Sequence, residues 1–230
     1  MEGALNFLGL GDLKQKVIAI QNYSKETEAL LIMLLREKHV RKVILTEIDP
    51  LKIKHVKSLF EKEITDGRLD ARLVFEDQDS ILHLDVDILY PSSGSVFNSS
   101  TIPHIKAKIV FGTSVNQFEN EADELALRTG GAVHIPSLLA QTNLISANEI
   151  YGVIPDKDPE VLKHFSKDYD FSIYNTVKKL LMVSNEKNIS PENAVAELAD
   201  IAINEPHPFI PNRGKQIIQS LVRDEWQKQL

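Results

Sequence analysis

Residues 86–117 read VDILYPSSGSVFNSSTIPHIKAKIVFGTSVNQ. The run Asp87-Ile88-Leu89-Tyr90 has the apolar character of a buried strand, and it gives way at Pro91 to a Ser/Gly-rich loop. A short capped helix is expected near Thr101-Ile102-Pro103. A second buried strand, Lys108-Ile109-Val110-Phe111, breaks at Gly112 into another polar loop. Two strands that end in loops of small hydroxyl and amide residues are what an open α/β sheet presents to a ligand at the carboxyl ends of its strands.

Working outward, Val17-Ile18-Ala19-Ile20 is the first apolar run, and Ser24-Lys25-Glu26 opens a helix with Ala29, Leu30, Met33, Leu34 and Val40 on its apolar face. A second strand follows at Lys42–Thr46. Pro50 suits the first turn of the next helix, whose apolar face is Ile53, Val56, Leu59 and Phe60. A third strand is expected at Ala71-Arg72-Leu73-Val74-Phe75, a helix from Glu119 to Arg128 closed by Gly130-Gly131, and a last strand at 132–136. Strand and helix alternating through short connections predict a doubly wound, mostly parallel α/β sheet of about six strands. From Leu138 onward the pattern is helical. Helices are expected over 138–152, over 160–187 with a bend near Asp168 to Phe171, and from Ser190-Pro191-Glu192. A proline-rich linker at 204–211 leads to a final helix bearing Ile217, Ile218, Leu221, Val222 and Trp226. Residues 1–152 are thus expected to form the sheet domain and 153–230 a helical extension packing on it.

The 230 residues can bury a sizeable core, and a charge of −7 argues against a partner bound mainly through phosphates, such as nucleic acid. With no cysteine there is no thiol nucleophile, disulfide framework or thiolate metal site. The N-terminal run MEGALNFLGLGDLKQK lacks the features of a signal peptide, and no long apolar span is present, so a cytoplasmic, membrane-free protein is expected. The seven histidines never stand three or four apart, which gives no support to a metal site. The serines of the 92–100 loop lack a nucleophile-elbow context and read as loop and cap residues.

Two segments carry a family resemblance. DVDILYPSSGSVFNSSTIPHIKAKIVFGTSVNQF, residues 85–118, resembles the cofactor domain of the leucine, phenylalanine, valine and glutamate dehydrogenases, most of all leucine dehydrogenase. There a strand ends in a Pro-Cys-Ala-type loop, a TIPxLKAK helix start follows, and the next strand ends in an amide-bearing loop. IPSLLAQTNLISANEIYG, residues 135–152, is similar to the segment that brings an Asn-Ala-Gly-Gly turn under the nicotinamide, and residues 173–203 are similar to the family's C-terminal helices. The resemblance implies a Rossmann-type fold, NAD as cofactor and oxidoreductase ancestry.

The departures concern the chemistry. Where the family has a G-x-G-x-x-G turn, this chain reads Asn22-Tyr23-Ser24-Lys25-Glu26-Thr27, without glycine. Side chains at Asn22 and Ser24 would occupy the phosphate space and Glu26 adds negative charge there, while Lys25 could contact a phosphate and Asn tolerates left-handed geometry. The ribose-binding acid survives in type as Glu47, which would favour NAD over NADP; alternatively Glu47 and Asp49 only solvate a strand end and serve the following helix. Ser92 and Ser93 stand where the resemblance would put Cys-Ala. Asn116 matches a cofactor contact beside Gln117, and Gln141 approximates the nicotinamide asparagine, with Thr142-Asn143 replacing the Gly-Gly.

In the family the amino-acid domain, with its catalytic lysines and aspartate, precedes the cofactor domain. This chain begins shortly before its first strand, so that domain is expected to be missing and no residue inherits the catalytic role. Three readings follow: a non-catalytic or regulatory relative, an NAD-dependent oxidoreductase acting on amino-acid CH–NH2 groups with the catalytic domain supplied by another chain, or an oligomerising remnant that binds no nucleotide. The apolar stripe of the final helix is expected to pack on the body or, if exposed, to mark a homo-oligomer or subunit contact.

Overall fold

Six strands pair into one all-parallel sheet in the order β3-β2-β1-β4-β5-β6. The computed structural model describes residues 1–75, 78–92, 97–114, 116–140 and 162–204. The strands are β1 (Val17–Gln21), β2 (Lys42–Glu47), β3 (Leu69–Leu73), β4 (Ile88–Tyr90), β5 (Ile109–Phe111) and β6 (Val133–Ile135). The inner ones are covered on both faces, which is why they read as continuous apolar runs and not as alternating ones. The order reverses between β1 and β4, and such a switch point opens a crevice at the carboxyl ends of the strands.

Local chemistry sets the helix starts. α2 (Lys25–Ile32) begins at a reciprocal capping box between Ser24 and Thr27 and continues through a π-helical turn over Met33–Glu37. α3 (Pro50–Leu59) has Asp49 as cap and Pro50 at its first position, and α4 (Glu61–Thr65) follows directly. α5 (Glu121–Thr129) starts two residues later than the expected Glu119, with Asn120 as its cap, and closes at Gly131 with φ 89°. After the described part of the C-terminal region begins at residue 162, α6 (Ile173–Lys187) and α7 (Pro191–Asn204) form a hairpin joined at Asn188, which takes the left-handed conformation. A short helix, α1 (Glu2–Phe7), precedes β1 and packs on α6.

Two apolar layers flank the sheet. One gathers Leu5, Ile18, Leu31, Val43, Phe60, Ile88, Leu181 and Ala194, so α1, α2, α6 and α7 share one core with the central strands. The other packs Ala19, Leu89 and Val110 against Phe97, Ile102 and Leu127. Each such side chain contributes roughly 1.5–3 kcal/mol when fully buried.

Several expectations are corrected. The third strand is Leu69–Leu73, not 71–75, because pairing of Val43 with Leu69 sets its register and Phe75 is exposed. The buried stripe of α2 is Thr27, Leu31, Leu34 and Leu35, while Ala29 is exposed and Val40 lies beyond the helix. The segment at Thr101 is only a 3-10 turn over Ile102–His104. The expected 160–187 helix is interrupted over residues 166–172. Ser172 caps α6 there, and the Asn175 amide donates to the carbonyls of Lys167 and Tyr169, 2.9 Å each, which fixes a turn in place of a bend. Residues 137–140 are helical, but the rest of the 138–152 helix, the domain boundary at 152 and the terminal helix with Ile217 to Trp226 lie outside the described residues. Among the described residues no helix is long and apolar enough to cross a membrane.

Candidate functional site

The carboxyl ends of β1 and β4 meet through side chains. Asn22, left-handed at φ 64°, donates from Nδ2 to Ser92 Oγ at 2.9 Å, and the Ser92 N–H donates to Gln21 Oε1 at 3.2 Å. The turn after β1 is therefore stitched to the loop after β4. Next to it, the Ser24 N–H donates to Thr27 Oγ1 at 2.6 Å, and the Thr27 N–H donates back to Ser24 Oγ at 3.3 Å. Ser24 Oγ–H also donates to Glu26 at 2.6 Å, and this bond holds the Glu26 carboxyl below the usual carboxylate range. Glu26 and Glu28 both stand in the first turn of α2, while Lys25 is exposed.

Glu47 ends β2 with 2% exposure. One oxygen accepts from the Tyr23 N–H at 2.8 Å; the other accepts from the N–H groups of Ile48 and Asp49 at 2.8 and 3.0 Å. Lys52 Nζ lies 3.5 Å from the first oxygen. Asp49 in turn accepts from the Leu51 N–H and caps α3. The carboxylate that could meet a ribose is thus engaged by the turn after β1 and by the chain entering α3.

A dinucleotide's pyrophosphate needs open N–H groups and little side-chain bulk after β1. Here the side chains of Ser24 and Thr27 serve the helix start, the Asn22 side chain bridges to Ser92, and Glu26 is ionised beside them. These residues do not fit a pyrophosphate in the way a glycine-rich turn does.

At the other end of the edge, Tyr90 Oη and Thr113 Oγ1 lie 3.2 Å apart, and burial pushes the Tyr90 phenol up. Gly112 is required by close approach: a Cβ there would stand 2.2 Å from the Pro91 carbonyl oxygen. Asn116 is left-handed at φ 53° and exposed. Of the expected site residues, the structure brings Asn22 and Ser92 into contact, puts Ser24 and Lys25 at the start of α2 with Glu47 close by, and sets Asn116 in the β5 loop. Ser93 and Gln141 lie outside the described residues.

Sequence reasoning missed a cavity of about 300 Å³ beyond β5 and β6, lined by Asn116, Gln117, Phe118, Glu124, His134 and Glu192 among others. His134 Nδ1 lies 3.0 Å from Glu124 Oε1, both side chains being buried. Burial raises the Glu192 carboxyl, with nearby His134 lowering it and Glu124 adding to the rise. The only signal for this group in the sequence was a histidine inside an otherwise apolar strand. Among the described residues no group of three or more His, Asp or Glu side chains could hold a metal ion.

No family model matches the chain. It is 28% identical to an L-tryptophan dehydrogenase of Nostoc punctiforme over 169 residues, 73% of this chain and 43% of that protein. It is 25% identical to the leucine dehydrogenase of Bacillus cereus over 199 residues, 84% of this chain and 48% of that protein. The crystal structure of L-tryptophan dehydrogenase from Nostoc punctiforme superposes with a TM-score of 0.65 at 26% identity, covering 86% of this chain and 55% of that one. A hetero-hexameric glutamate dehydrogenase from Thermus thermophilus shares the fold, with a TM-score of 0.55 at 17% identity over 84% of this chain and 48% of that one. The chain spans about half the length of the curated relatives it matches. With its Rossmann-type sheet and these relatives, the chain is a relative of the amino-acid dehydrogenases, tryptophan and leucine dehydrogenase among them.

Proposed function

We propose that this chain is a non-catalytic, regulatory relative of the amino-acid dehydrogenases whose dinucleotide edge has been closed at the phosphate end. The observation that carries this reading is the turn from Asn22 to Thr27, where the side chains of Ser24 and Thr27 satisfy the start of α2 and Asn22 bonds Ser92. A helix N-terminus favours an anion by about 0.3–1 kcal/mol. An ionised Glu26 in that same turn opposes a phosphate with a like charge, so the gain is offset. Any nicotinamide dinucleotide that reaches this edge is NAD or NADH, bound weakly, because Glu47 and Asp49 keep the end of β2 acidic against a 2′-phosphate. A cytoplasmic protein assembling with copies of itself or with a separate subunit completes this reading. Titration calorimetry with NAD, NADH and NADP tests it. Dissociation constants weaker than about 1 mM for all three are expected, roughly 4 kcal/mol of binding free energy or less. Micromolar binding of NADH would overturn the proposal.

A second reading rests on the opposite end of the edge. Gly112 lets the β5 loop approach Pro91 closely and Asn116 is left-handed, and these two positions support a loop able to face a nicotinamide. On this reading the chain is an NAD-dependent oxidoreductase for amino-acid CH–NH2 groups with its catalytic residues in another chain. NADH formation from leucine or tryptophan once a partner subunit is added would favour it.

A further inference from the structure

We propose that two copies of this chain join through their β3 strands, which pair antiparallel about a twofold axis at Ala71 and merge the two sheets into one. This deepens the reading that the chain assembles with copies of itself, and gives that assembly a place away from the β1–β4 edge. β3 is the outermost strand, beside β2. In their parallel register the Val43 N–H donates to the Arg68 carbonyl at 2.8 Å and the Val74 N–H to the Glu47 carbonyl at 2.9 Å. Backbone groups alternate sides along a strand, so Arg68, Asp70, Arg72 and Val74 bond β2. The N–H and C=O groups of Leu69, Ala71 and Leu73 then point outward, a template for another strand. Edges of this kind are usually blunted by proline or a bulge. Here no proline stands between 69 and 75, and the register with β2 runs unbroken from Leu69 to Leu73.

The strand is complementary to itself, which selects a second copy as the occupant. Turned antiparallel about Ala71, Ala71 meets Ala71 as a hydrogen-bonded pair and Leu69 meets Leu73 in the same way, so every outward N–H and C=O from 69 to 73 is satisfied. Asp70 then faces Arg72 at the two closer positions between them, where opposite charges favour pairing and like charges oppose it. An axis at Leu69 or Leu73 would instead draw in the turn at Gly67 or the residues after the strand. Within one copy Asp70 Oδ2 accepts from Arg72 Nε and Nη2 at 3.1 and 2.7 Å, and Lys42 Nζ lies 3.5 Å from the same oxygen. Asp70 Oδ1 and Arg72 Nη1 are engaged by none of these bonds, and both side chains are partly exposed, 32% and 44%. They are available across the axis. Leu73 and Phe75 are exposed large apolar residues at the end of this edge, which a second copy would cover. Continued past the strand, the register sets Phe75 beside Gly67 of the second copy, where an added Cβ would meet nothing within 4 Å, so the ring has room.

Analytical ultracentrifugation of the whole chain, up to about 100 μM, tests the pairing, and self-association of the parent is expected. Ala71→Pro removes an outward N–H that β2 does not use, so it should weaken association about tenfold or more while circular dichroism still shows the fold. Arg72→Asp sets carboxylate against carboxylate across the axis and should weaken it similarly. An equimolar mixture of Arg72→Asp with Asp70→Arg is expected to recover association, which a loss of local structure would not allow. The chain has no cysteine, so single cysteines report the register under a mild oxidant. Directly opposed Cα atoms stand about 5.5 Å apart, within disulfide reach, whereas diagonal ones stand about 7–8 Å apart. Ala71→Cys is therefore expected to cross-link to its copy and Asp70→Cys to remain largely uncross-linked. A parent that stays monomeric, Ala71→Pro associating as tightly as the parent, or Asp70→Cys cross-linking as readily as Ala71→Cys would overturn the pairing. None of these outcomes depends on whether NADH binds.

Discussion

Glu47 shows how one side chain can close a site. Its carboxylate joins the turn after β1 to the chain entering α3 by accepting three backbone N–H bonds in a place with 2% exposure. Hydrogen bonds to a charged group are worth about 1.5–3 kcal/mol, and buried donors left without an acceptor cost about as much. Glu47→Ala should therefore lower unfolding free energy by about 2–4 kcal/mol, read as a reduced urea midpoint at unchanged slope. If Glu47 instead served only as a solvated strand end, the midpoint would hardly move. Gly112 makes a comparable demand through space. A Cβ would stand 2.2 Å from the Pro91 carbonyl oxygen and 2.8 Å from Gln117 Nε2, and the first of these is backbone that cannot swing aside. Gly112→Ala is expected to cost about 1–3 kcal/mol by thermal melting, because the loops after β4 and β5 must separate.

At the level of elements, two arginines join helices that lie far apart in sequence. Arg128 on α5 donates to the carbonyls of Ser184 and Ile189 at 3.1 and 2.7 Å and also bonds the Asn188 side chain, so it clamps the α6–α7 hairpin. Arg128→Ala should cost about 1–3 kcal/mol and speed amide hydrogen exchange at Ile189, whose N–H bonds Ser184 within that turn. Unaltered exchange there would mean that the hairpin holds itself. Arg36, in the π-helical turn, donates to Glu63 at 2.8 Å and to the Leu59 carbonyl at 3.0 Å, tying it to α3 and α4. The Arg36 hydrogen bond holds the Glu63 carboxyl below the usual carboxylate range. A carboxyl depressed in the folded state adds stability that is fully present above its unfolded value and is lost as pH falls through the folded one. Glu63→Gln should therefore melt below the parent at neutral pH, and the gap should narrow in acid. Most strands and several caps were legible because their causes are local: apolar runs for strands covered on two faces, and Ser24, Asp49 and Ser190 as side chains able to serve a helix start, whereas the cap at Asn120 was passed over for a start at Glu119. β3 was misplaced because its outer residues face solvent, so apolar Leu73 and Phe75 suggested burial where the register with β2 places none. α1 escaped because a six-residue helix owes its stability to the surface it packs on. The Glu124–His134 pair escaped because it needs α5 folded against β6 before the two side chains meet.

The whole molecule is closed by contacts between its early and late parts. α1 and α6 approach so closely at Gly3 that a Cβ there would stand 2.5 Å from the Tyr174 carbonyl oxygen and 3.2 Å from Val177 Cβ. The same apolar layer holds Leu5 of α1, Ile18 of β1, Val43 of β2, Leu181 of α6 and Ala194 of α7, so sheet and C-terminal hairpin do not have separate cores. A shared core predicts one cooperative transition for the described residues. Gly3→Val tests that. Overpacking by a branched side chain against backbone is expected to cost about 1–3 kcal/mol, and each kcal/mol corresponds to about 2–4 °C at this size. The expected result is a lower melting temperature with the far-ultraviolet and near-ultraviolet dichroism still moving together. If α1, α6 and α7 formed a unit apart from the sheet, the substitution would split the melt. An early loss of helix would then precede loss of the sheet's aromatic signal from Tyr90 and Phe111, whose rings meet edge to face 5.4 Å apart.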